Sequence, residues 1–306
     1  MLLNPLSNAR NYFKNAIESD KDYFTSLGDI AREVEHHKDC FKGKRVLCCC
    51  HDDVSAFGEY FMSNFDKLGL QELILVSHTD DEVTADVMVD MLSSEKVSIS
   101  TVSSGKAVWT DKLTAVDVVV TNPPSKLIGS MIRILTALNK QFLLIANINS
   151  AMYKDVLPAF VNDEVWLGVT RPRKFHIGAK GFVEDEKPII VGNMVWLTNL
   201  ENDIQRPALV LTQKVSDPEN AGKYLLVDNT DILWISHVKD IPMDWNGRMA
   251  VPVNFLQRYN RGQFKIVGSV NHGYGSPLDF AAPKVNGEAK YKHLVIVPVK
   301  KGGDRQ

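Results

Sequence analysis

The chain has 306 residues, of which 44% are hydrophobic, so it can bury one large core or a core with an appended lobe, which excludes a disordered chain. The formal net charge at pH 7 is only -2, which excludes a global positive field and leaves a local basic patch as the means of binding nucleic acid. No apolar run reaches the roughly 18 residues that a bilayer-spanning helix needs, and no signal peptide is recognisable, so we expect a cytoplasmic protein with no membrane partner.

The first half of the chain alternates between helical spacing and short apolar runs. Ile30 and Val34 predict a helix over 27–41, with His36 and His37 exposed on it. Further predicted helices cover 57–68, which Gly69 would end, 80–94 and 126–138. The predicted strands are 45–50, 73–77, 97–102, 116–121 and 142–146. This alternation implies βαβ crossovers, and therefore an α/β fold with a doubly wound, mostly parallel sheet.

Beyond Trp166 the pattern changes to short strands, among them 189–191 and 194–198, with polar turns at 216–220 and 228–231. We therefore predict two regions. Residues 1–170 would form the catalytic core, and residues 171–306 would contain the end of the sheet and an irregular target-recognition lobe. The boundary is predicted only to within about 165–200.

Polar residues lie at the carboxyl ends of three of the predicted parallel strands. They are Cys50, His51 and Asp52 at the first strand, Ser77 and His78 at the second, and Thr121 and Asn122 at the fourth. Ligands of open α/β sheets bind in the crevice beyond the carboxyl ends of the strands. The sequence therefore predicts a ligand crevice at this edge.

The tripeptide Asn122-Pro123-Pro124 directly after a buried strand has a definite chemical use. The prolines fix the backbone, so the Asn122 side-chain oxygen and the Pro123 carbonyl can both accept hydrogen bonds from one amino group. Two such acceptors turn the nitrogen lone pair toward an electrophile and make an aromatic amine a nucleophile. The alternative is a rigid turn, because Asn-Pro is a common turn starter.

The four cysteines are Cys40, Cys48, Cys49 and Cys50, and three adjacent residues cannot form a disulfide framework. Adjacent strand residues point to alternate faces, and zinc sites space paired cysteines by at least two residues. We therefore expect reduced thiols that pack as small hydrophobes, and no bound metal.

A dense basic cluster in the middle of the chain contains Arg171, Arg173 and Lys174. Just past the predicted sheet, such a cluster would meet DNA phosphates. A solvated loop is an equally good interpretation of the same residues.

Several short motifs occur in one consistent order along the chain. Residues 21–25 are similar to an amino-terminal Asp-Glu-Phe-Tyr-Thr motif, and 41–52 are similar to a first-strand motif that ends Cys-x-Cys-Asp-Asp-Pro. Further similar segments are 64–70, 195–200, 239–247, 264–268 and 285–287. Together with Asn-Pro-Pro, the chain resembles the EcoRI-type adenine-specific DNA methyltransferase family from about residue 20 to about residue 300.

The resemblance implies a Rossmann-like methyltransferase that transfers a methyl group from S-adenosylmethionine to adenine N6 in duplex DNA after flipping the base out. It implies that the cofactor binds at Phe24, Thr25, Cys50, His51, Asp52 and Ser77. The catalytic loop would be Asn122, Pro123, Pro124 and Ser125. Arg171, Arg173 and Lys174 would contact DNA, and Trp196 would either stack on the target base or lie in the core.

The sequence departs from the family pattern at three places around the implied site. Ser125 replaces an aromatic residue that stacks on the flipped adenine, an interaction that contributes about 1–3 kcal/mol per base. The segment 102–109 contains no acid for the cofactor adenine, and His51 and Asp53 replace the usual Asp and Pro. Two alternatives therefore stay open, a lapsed enzyme that binds DNA or cofactor without turnover, and transfer to cytosine N4, RNA or a protein amide.

Overall fold

In a computed structural model, the chain divides into two compact units, Met1–Asn147 with Val165–Asp203, and Ile148–Glu164 with Ile204–Gln306. The residues that the structure describes are 23–49, 56–77, 97–101, 115–123, 125, 128–177, 188–202, 206–270 and 283–299. The predicted helix over 80–94 lies outside these residues.

The first unit is built from ten strands and four α-helices among the described residues. The strands are β1 (Tyr23–Thr25), β2 (Arg45–Cys49), β3 (Glu72–Ser77), β4 (Val97–Thr101), β5 (Val118–Thr121), β6 (Gln141–Asn147), β7 (Trp166–Leu167), β8 (Lys174–Ile177), β9 (Ile189–Ile190) and β10 (Met194–Thr198). The helices are α1 (Leu27–Glu35), α2 (Ala56–Ser63), α3 (Phe65–Leu68) and α4 (Ile128–Ala137).

Seven of these strands form one sheet in the order β4-β3-β2-β5-β6-β10-β7. The first five strands are parallel to one another, whereas β10 runs antiparallel to both β6 and β7. All four residues of β5 are buried, as expected for a central parallel strand covered on both faces. The α/β fold with a mostly parallel sheet is thereby confirmed. A second, antiparallel sheet has the order β1-β8-β9.

The large side chains of the first unit fill the core beside this sheet. Trp196 is fully buried, and the rings of Phe41 and Phe61 lie 5.2 Å apart in the same cluster. The predicted helix over 57–68 is interrupted at Asn64, whose side-chain amide donates to the Tyr60 carbonyl over 2.8 Å. Gly69 then ends α3 with a φ of 63°, as predicted.

Helix α1 is shorter than the predicted helix over 27–41. The Ser26 side chain caps its first turn by accepting from the Asp29 amide, and the His36 amide closes its last turn. The chain continues into a 3-10 helix over Lys38–Phe41, and His37 lies between the two helices. His36 is exposed, but the prediction that His37 is exposed is wrong, because its side chain is fully buried.

The second unit contains a five-stranded sheet that was not predicted from the sequence. The described strands of this unit are β11 (Leu225–Leu226), β12 (Leu233–Trp234), β13 (Met249–Pro252), β14 (Phe264–Ser269), β15 (Lys284–Val285), β16 (Glu288–Ala289) and β17 (His293–Pro298). The sheet has the order β11-β12-β13-β17-β14, and β15 and β16 form a separate hairpin. A short helix, α5, covers Leu157–Val161.

Candidate active site

The carboxyl ends of the parallel strands meet at one edge of the large sheet. The Cα register places Cys49 of β2 opposite Val76 of β3 on one side and opposite Thr121 of β5 on the other. Neighbouring strands lie about 4.8 Å apart, so the ends of β3 and β5 are roughly 10 Å apart across β2. A small ligand that spans these three strand ends would contact residues from all of them.

The Asn-Pro-Pro loop begins at this edge. Thr121, the last residue of β5, is buried, Asn122 is half-buried, Pro123 is buried and Ser125 is exposed. Pro124 lies outside the described residues. The half-buried position of Asn122 allows its side chain to meet a ligand in the crevice, and the roles of Asn122, Pro123, Pro124 and Ser125 stay predictions.

Thr25, the last residue of β1, carries a buried hydroxyl group. Only 3% of the residue is exposed, and its Oγ1 has no hydrogen-bond partner among the described residues. A buried hydroxyl normally has a partner, so an unpaired one is consistent with a polar ligand at this position. The backbone of Phe24 pairs with His176 in β8, and the Ser77 backbone ends β3.

The other predicted cofactor residues, Cys50, His51 and Asp52, lie outside the described residues. The register of β2 nevertheless ends at Cys49, one residue before them. In the described part of the chain, no three His, Cys, Asp or Glu side chains cluster as metal ligands would. Among the described helices, none has the length and apolarity to cross a membrane.

Trp196 lies in the core rather than on the surface. Its side chain is fully buried on β10, and its ring packs edge-on against the Phe57 ring, with centroids 6.0 Å apart and an interplanar angle of 82°. This position corresponds to the core interpretation, one of the two that the sequence left open. Stacking on a target base would require the side chain to leave this environment.

A buried carboxylate on α1 binds the backbone that follows β7. Glu33 Oε1 accepts from the Val169 amide over 2.8 Å, and Oε2 accepts from the Thr170 amide and hydroxyl over 2.6 Å each. Burial alone would raise the pKa of Glu33, but the hydrogen bonds from His37, Thr170 and Val169 outweigh it and lower that pKa below its usual value.

His37 completes this buried group. Its Nε2 lies 3.0 Å from Glu33 Oε1, and its Nδ1 lies 2.9 Å from the Glu201 carbonyl oxygen. Both contacts are made to oxygen atoms, so the His37 ring joins the Glu33 carboxylate to the backbone at Glu201 inside the protein.

A second carboxylate on α1, one turn earlier, binds the basic cluster itself. Asp29 is buried, and its Oδ2 accepts from the Arg173 and Lys174 amides over 2.8 Å each. Its Oδ1 pairs with the Arg32 guanidinium group. The Ser26 amide donates to the Lys174 carbonyl over 3.1 Å, so both backbone polar groups of Lys174 are bound.

The three predicted DNA-contacting residues differ in their surroundings. The Arg171 guanidinium donates to the Gly192 carbonyl and is half-buried. Arg173 and Lys174 are exposed, and their contacts with Asp29 use the backbone alone. The structure thus leaves two of the three basic side chains in a position to meet an anionic partner.

Asp29, Glu33 and His37 were not predicted from the sequence to form a group. They are spaced four residues apart, and Ile30 and Val34, which follow the two acids directly, are fully buried. Residues four apart lie on one face of a helix. The signal available in the sequence was therefore that Asp29 and Glu33 are four residues apart and lie beside the buried face of the helix.

The chain is similar in sequence to known proteins over most of its length. The chain matches the family described as adenine-specific methyltransferase EcoRI over residues 12–114 and 106–297. It is 30% identical over 340 residues to the type II methyltransferase M.EcoRI of Escherichia coli, a match that covers 94% of this chain and 97% of that protein. It is also 30% identical over 284 residues to the type II methyltransferase M.MpnI of Mycoplasma pneumoniae, covering 87% of this chain and 88% of that protein.

Among solved structures, the similar folds include the methyltransferase subunit of a type I restriction-modification system from Streptococcus thermophilus. The TM-score is 0.35 at 10% sequence identity, and the match covers 62% of this chain and 47% of that chain.

Proposed function

The chain belongs to the EcoRI family of adenine-specific methyltransferases, and on that premise we propose that Asn122 and Pro123 hold the amino group that becomes methylated. The family reaction is the transfer of a methyl group from S-adenosylmethionine to N6 of adenine in DNA. The substrate is duplex DNA, and the target adenine flips out of the helix to reach the crevice.

The position of Asn122 supports this proposal most directly. It follows the buried end of β5 at the edge where β2 and β3 also end. The Asn122 side-chain oxygen and the Pro123 carbonyl oxygen each accept a hydrogen bond from one N–H group of the adenine amine. The nitrogen lone pair then points away from both acceptors, and the fixed geometry removes much of the entropic barrier to transfer.

The proposal places the cofactor at the same edge. S-adenosylmethionine, when bound, supplies an electrophilic methyl group on its sulfonium. The buried Thr25 hydroxyl, which has no partner among the described residues, binds a polar group of the cofactor beside Phe24. Ser77, which ends β3, and Cys50, His51 and Asp52, which follow β2 in the sequence, bind the rest of the cofactor.

The exposed side chains of Arg173 and Lys174 contact the phosphates of the DNA backbone. Such contacts carry no sequence information, but they hold the duplex in register with the crevice. A net charge of only -2 for the whole chain makes a local cluster of this kind necessary for DNA binding.

The test is the transfer of a tritiated methyl group to mixed-sequence duplex DNA, followed by digestion to nucleosides and identification of the product. Wild-type protein should produce N6-methyladenine, and Asn122→Ala should abolish labelling while S-adenosylmethionine binding, measured by calorimetry, is retained. The control is Asn193→Ala, which changes the same residue type in an exposed turn and should leave labelling intact.

Each alternative predicts a different outcome. Full labelling by Asn122→Ala would remove the loop from the mechanism. Labelling of cytosine N4, RNA or protein instead of adenine would identify another acceptor. Cofactor or DNA binding by the wild-type protein without any labelling would identify a lapsed enzyme, the alternative that the serine at position 125 favours.

A further inference from the structure

We propose that Asp29 and Glu33 are positioning residues for DNA binding, whose carboxylates hold the backbone of the segment 169–174 so that Arg173 and Lys174 present their side chains to DNA phosphates. This inference rests on the proposed function, because it takes Arg173 and Lys174 to be phosphate contacts.

The first support is the number of backbone groups that the two carboxylates bind. Glu33 accepts from the amides of Val169 and Thr170, and Asp29 accepts from those of Arg173 and Lys174. All four distances lie between 2.6 and 2.8 Å, and both acids are buried. Hydrogen bonds to an ionised carboxylate are among the stronger ones in proteins.

The second support is that the segment is bound through its backbone rather than its basic side chains. A salt bridge from Asp29 to Arg173 or Lys174 would neutralise the charge that a phosphate needs. Asp29 binds only their amides, and its own charge is paired with Arg32. Glu33 contacts the His37 ring rather than a basic side chain of the segment. Among the described residues, no acid forms an ion pair with Arg173 or Lys174, so their charges are left for an external partner.

The third support is that this segment leads directly into β8, which pairs with β1, the strand that contains the predicted cofactor residues Phe24 and Thr25. The Ser26 amide donates to the Lys174 carbonyl, and from Phe175 onward the chain pairs with β1, where Thr25 lies opposite Phe175. Lys174 is thus bound at both its amide and its carbonyl. A backbone ordered before binding does not have to be ordered by the DNA, which favours affinity.

The decisive experiment is a double-mutant cycle read by the binding of a fluorescein-labelled mixed-sequence duplex at several salt concentrations. Asp29→Ala removes the acceptor for both amides and should weaken binding by about tenfold, since two residues must then be ordered on binding. In an Arg173→Ala/Lys174→Ala background, the same change should have almost no effect. That background should also lower the slope of log K against log salt by up to about 2.

The matched control is Glu35→Ala, which removes an exposed acid from the same helix and changes the net charge equally. It should bind DNA like the wild type. Asp29→Asn retains an oxygen that can accept both amides, so it should recover most of the affinity lost in Asp29→Ala. Melting temperature and S-adenosylmethionine affinity establish that each variant is folded.

If Asp29→Ala does not fold, Thr170→Val takes its place in the cycle, because it removes only the hydroxyl that donates to Glu33. It should weaken DNA binding by roughly twofold to threefold.

The proposal is overturned if Asp29→Ala, or Thr170→Val in its place, weakens DNA binding equally in both backgrounds. It is also overturned if Asp29→Ala binds DNA as well as Glu35→Ala does. The third contrary result is an Arg173→Ala/Lys174→Ala protein that binds DNA like the wild type. None of these results depends on turnover, so they are separate from a failure of Asn122 in the labelling assay.

Discussion

Gly168 lies directly against the Glu33 carboxylate and the Trp196 side chain, so that a β-carbon at position 168 would lie 2.9 Å from Glu33 Cδ and 2.6 Å from Trp196 Cβ. Both neighbours are fully buried, and Glu33 is held by hydrogen bonds from Val169 and Thr170. Neither can move without disturbing the core or breaking those bonds. Glycine at this position therefore allows α1 to approach the chain after β7.

We predict that Gly168→Ala lowers the free energy of unfolding by about 3 kcal/mol, the upper end of the cost of overpacking. The control is Gly192→Ala, because nothing lies within 4 Å of the β-carbon it would add. Urea unfolding of the two variants measures the difference. Equal stability of the two alanine variants would mean that the segment after β7 is not held as tightly as the structure indicates.

The core position of Trp196 leads to a second prediction. The ring packs against Phe57, and its Nε1 has no hydrogen-bond partner among the described residues. Trp196→Phe therefore breaks no hydrogen bond there. This variant should lose about 1–2 kcal/mol of stability and retain methyl transfer, whereas Trp196→Ala should lose about 3–5 kcal/mol.

Chemical unfolding and the labelling assay on the same samples separate the two interpretations of Trp196. A Trp196→Ala protein that unfolds like the wild type but no longer methylates DNA would favour base stacking over a role in the core.

Asp244 in the second unit gives a prediction of pH dependence. Hydrogen bonds from the Ser216 hydroxyl and from the Ser216 and Val215 amides lower the pKa of its carboxyl to about 2. A lowered pKa in the folded state adds stability that is present above the unfolded pKa of about 4 and is lost as the pH falls toward 2.

Asp244→Asn should therefore be less stable than the wild type at pH 7, and the difference should shrink as the pH falls below about 4. Urea midpoints across this range measure it, and Glu219→Gln, a change of a nearby exposed acid, is the control. A difference that stays constant from pH 7 to pH 3 would contradict the role of the charged carboxylate.

The elements that local patterns describe were predicted from the sequence. The strands β2, β3, β5 and β6 are short apolar runs, and their parallel order brings Cys49 and Thr121 to one edge, as the strand-end rule implies. Gly69 ends α3 because only a few residue types readily adopt its positive φ. Such signals lie within a few residues of the feature they specify.

The elements that were missed depend on distant partners. Asp29 and Glu33 are buried because amides 136 to 145 positions along the chain meet them, and no local pattern reports those amides. The sheet of the second unit includes two strands of only two residues each, Leu225–Leu226 and Leu233–Trp234, which are too short to show a period of two. The function was predicted from the order of several short motifs along the chain rather than from any single residue.

The exposed Ser125 provides a test of the departure from the family pattern. Its side chain lies outside the core, so an aromatic residue can be introduced with a stability change within about 0.5 kcal/mol. If the loop holds a flipped adenine, Ser125→Phe adds a stacking surface that contributes about 1–3 kcal/mol. The KM for DNA should then fall by roughly one to two decades, because 1.4 kcal/mol corresponds to a factor of ten.

Ser125→Ala is the matched control, because it removes the hydroxyl without adding a ring, and its KM should equal that of the wild type. The KM for S-adenosylmethionine should be the same in all three proteins, since stacking acts on the base alone. A Ser125→Phe protein with the same KM for DNA as Ser125→Ala would show that position 125 does not face the target base. The aromatic residue of the family pattern would then have no counterpart at this point of the loop.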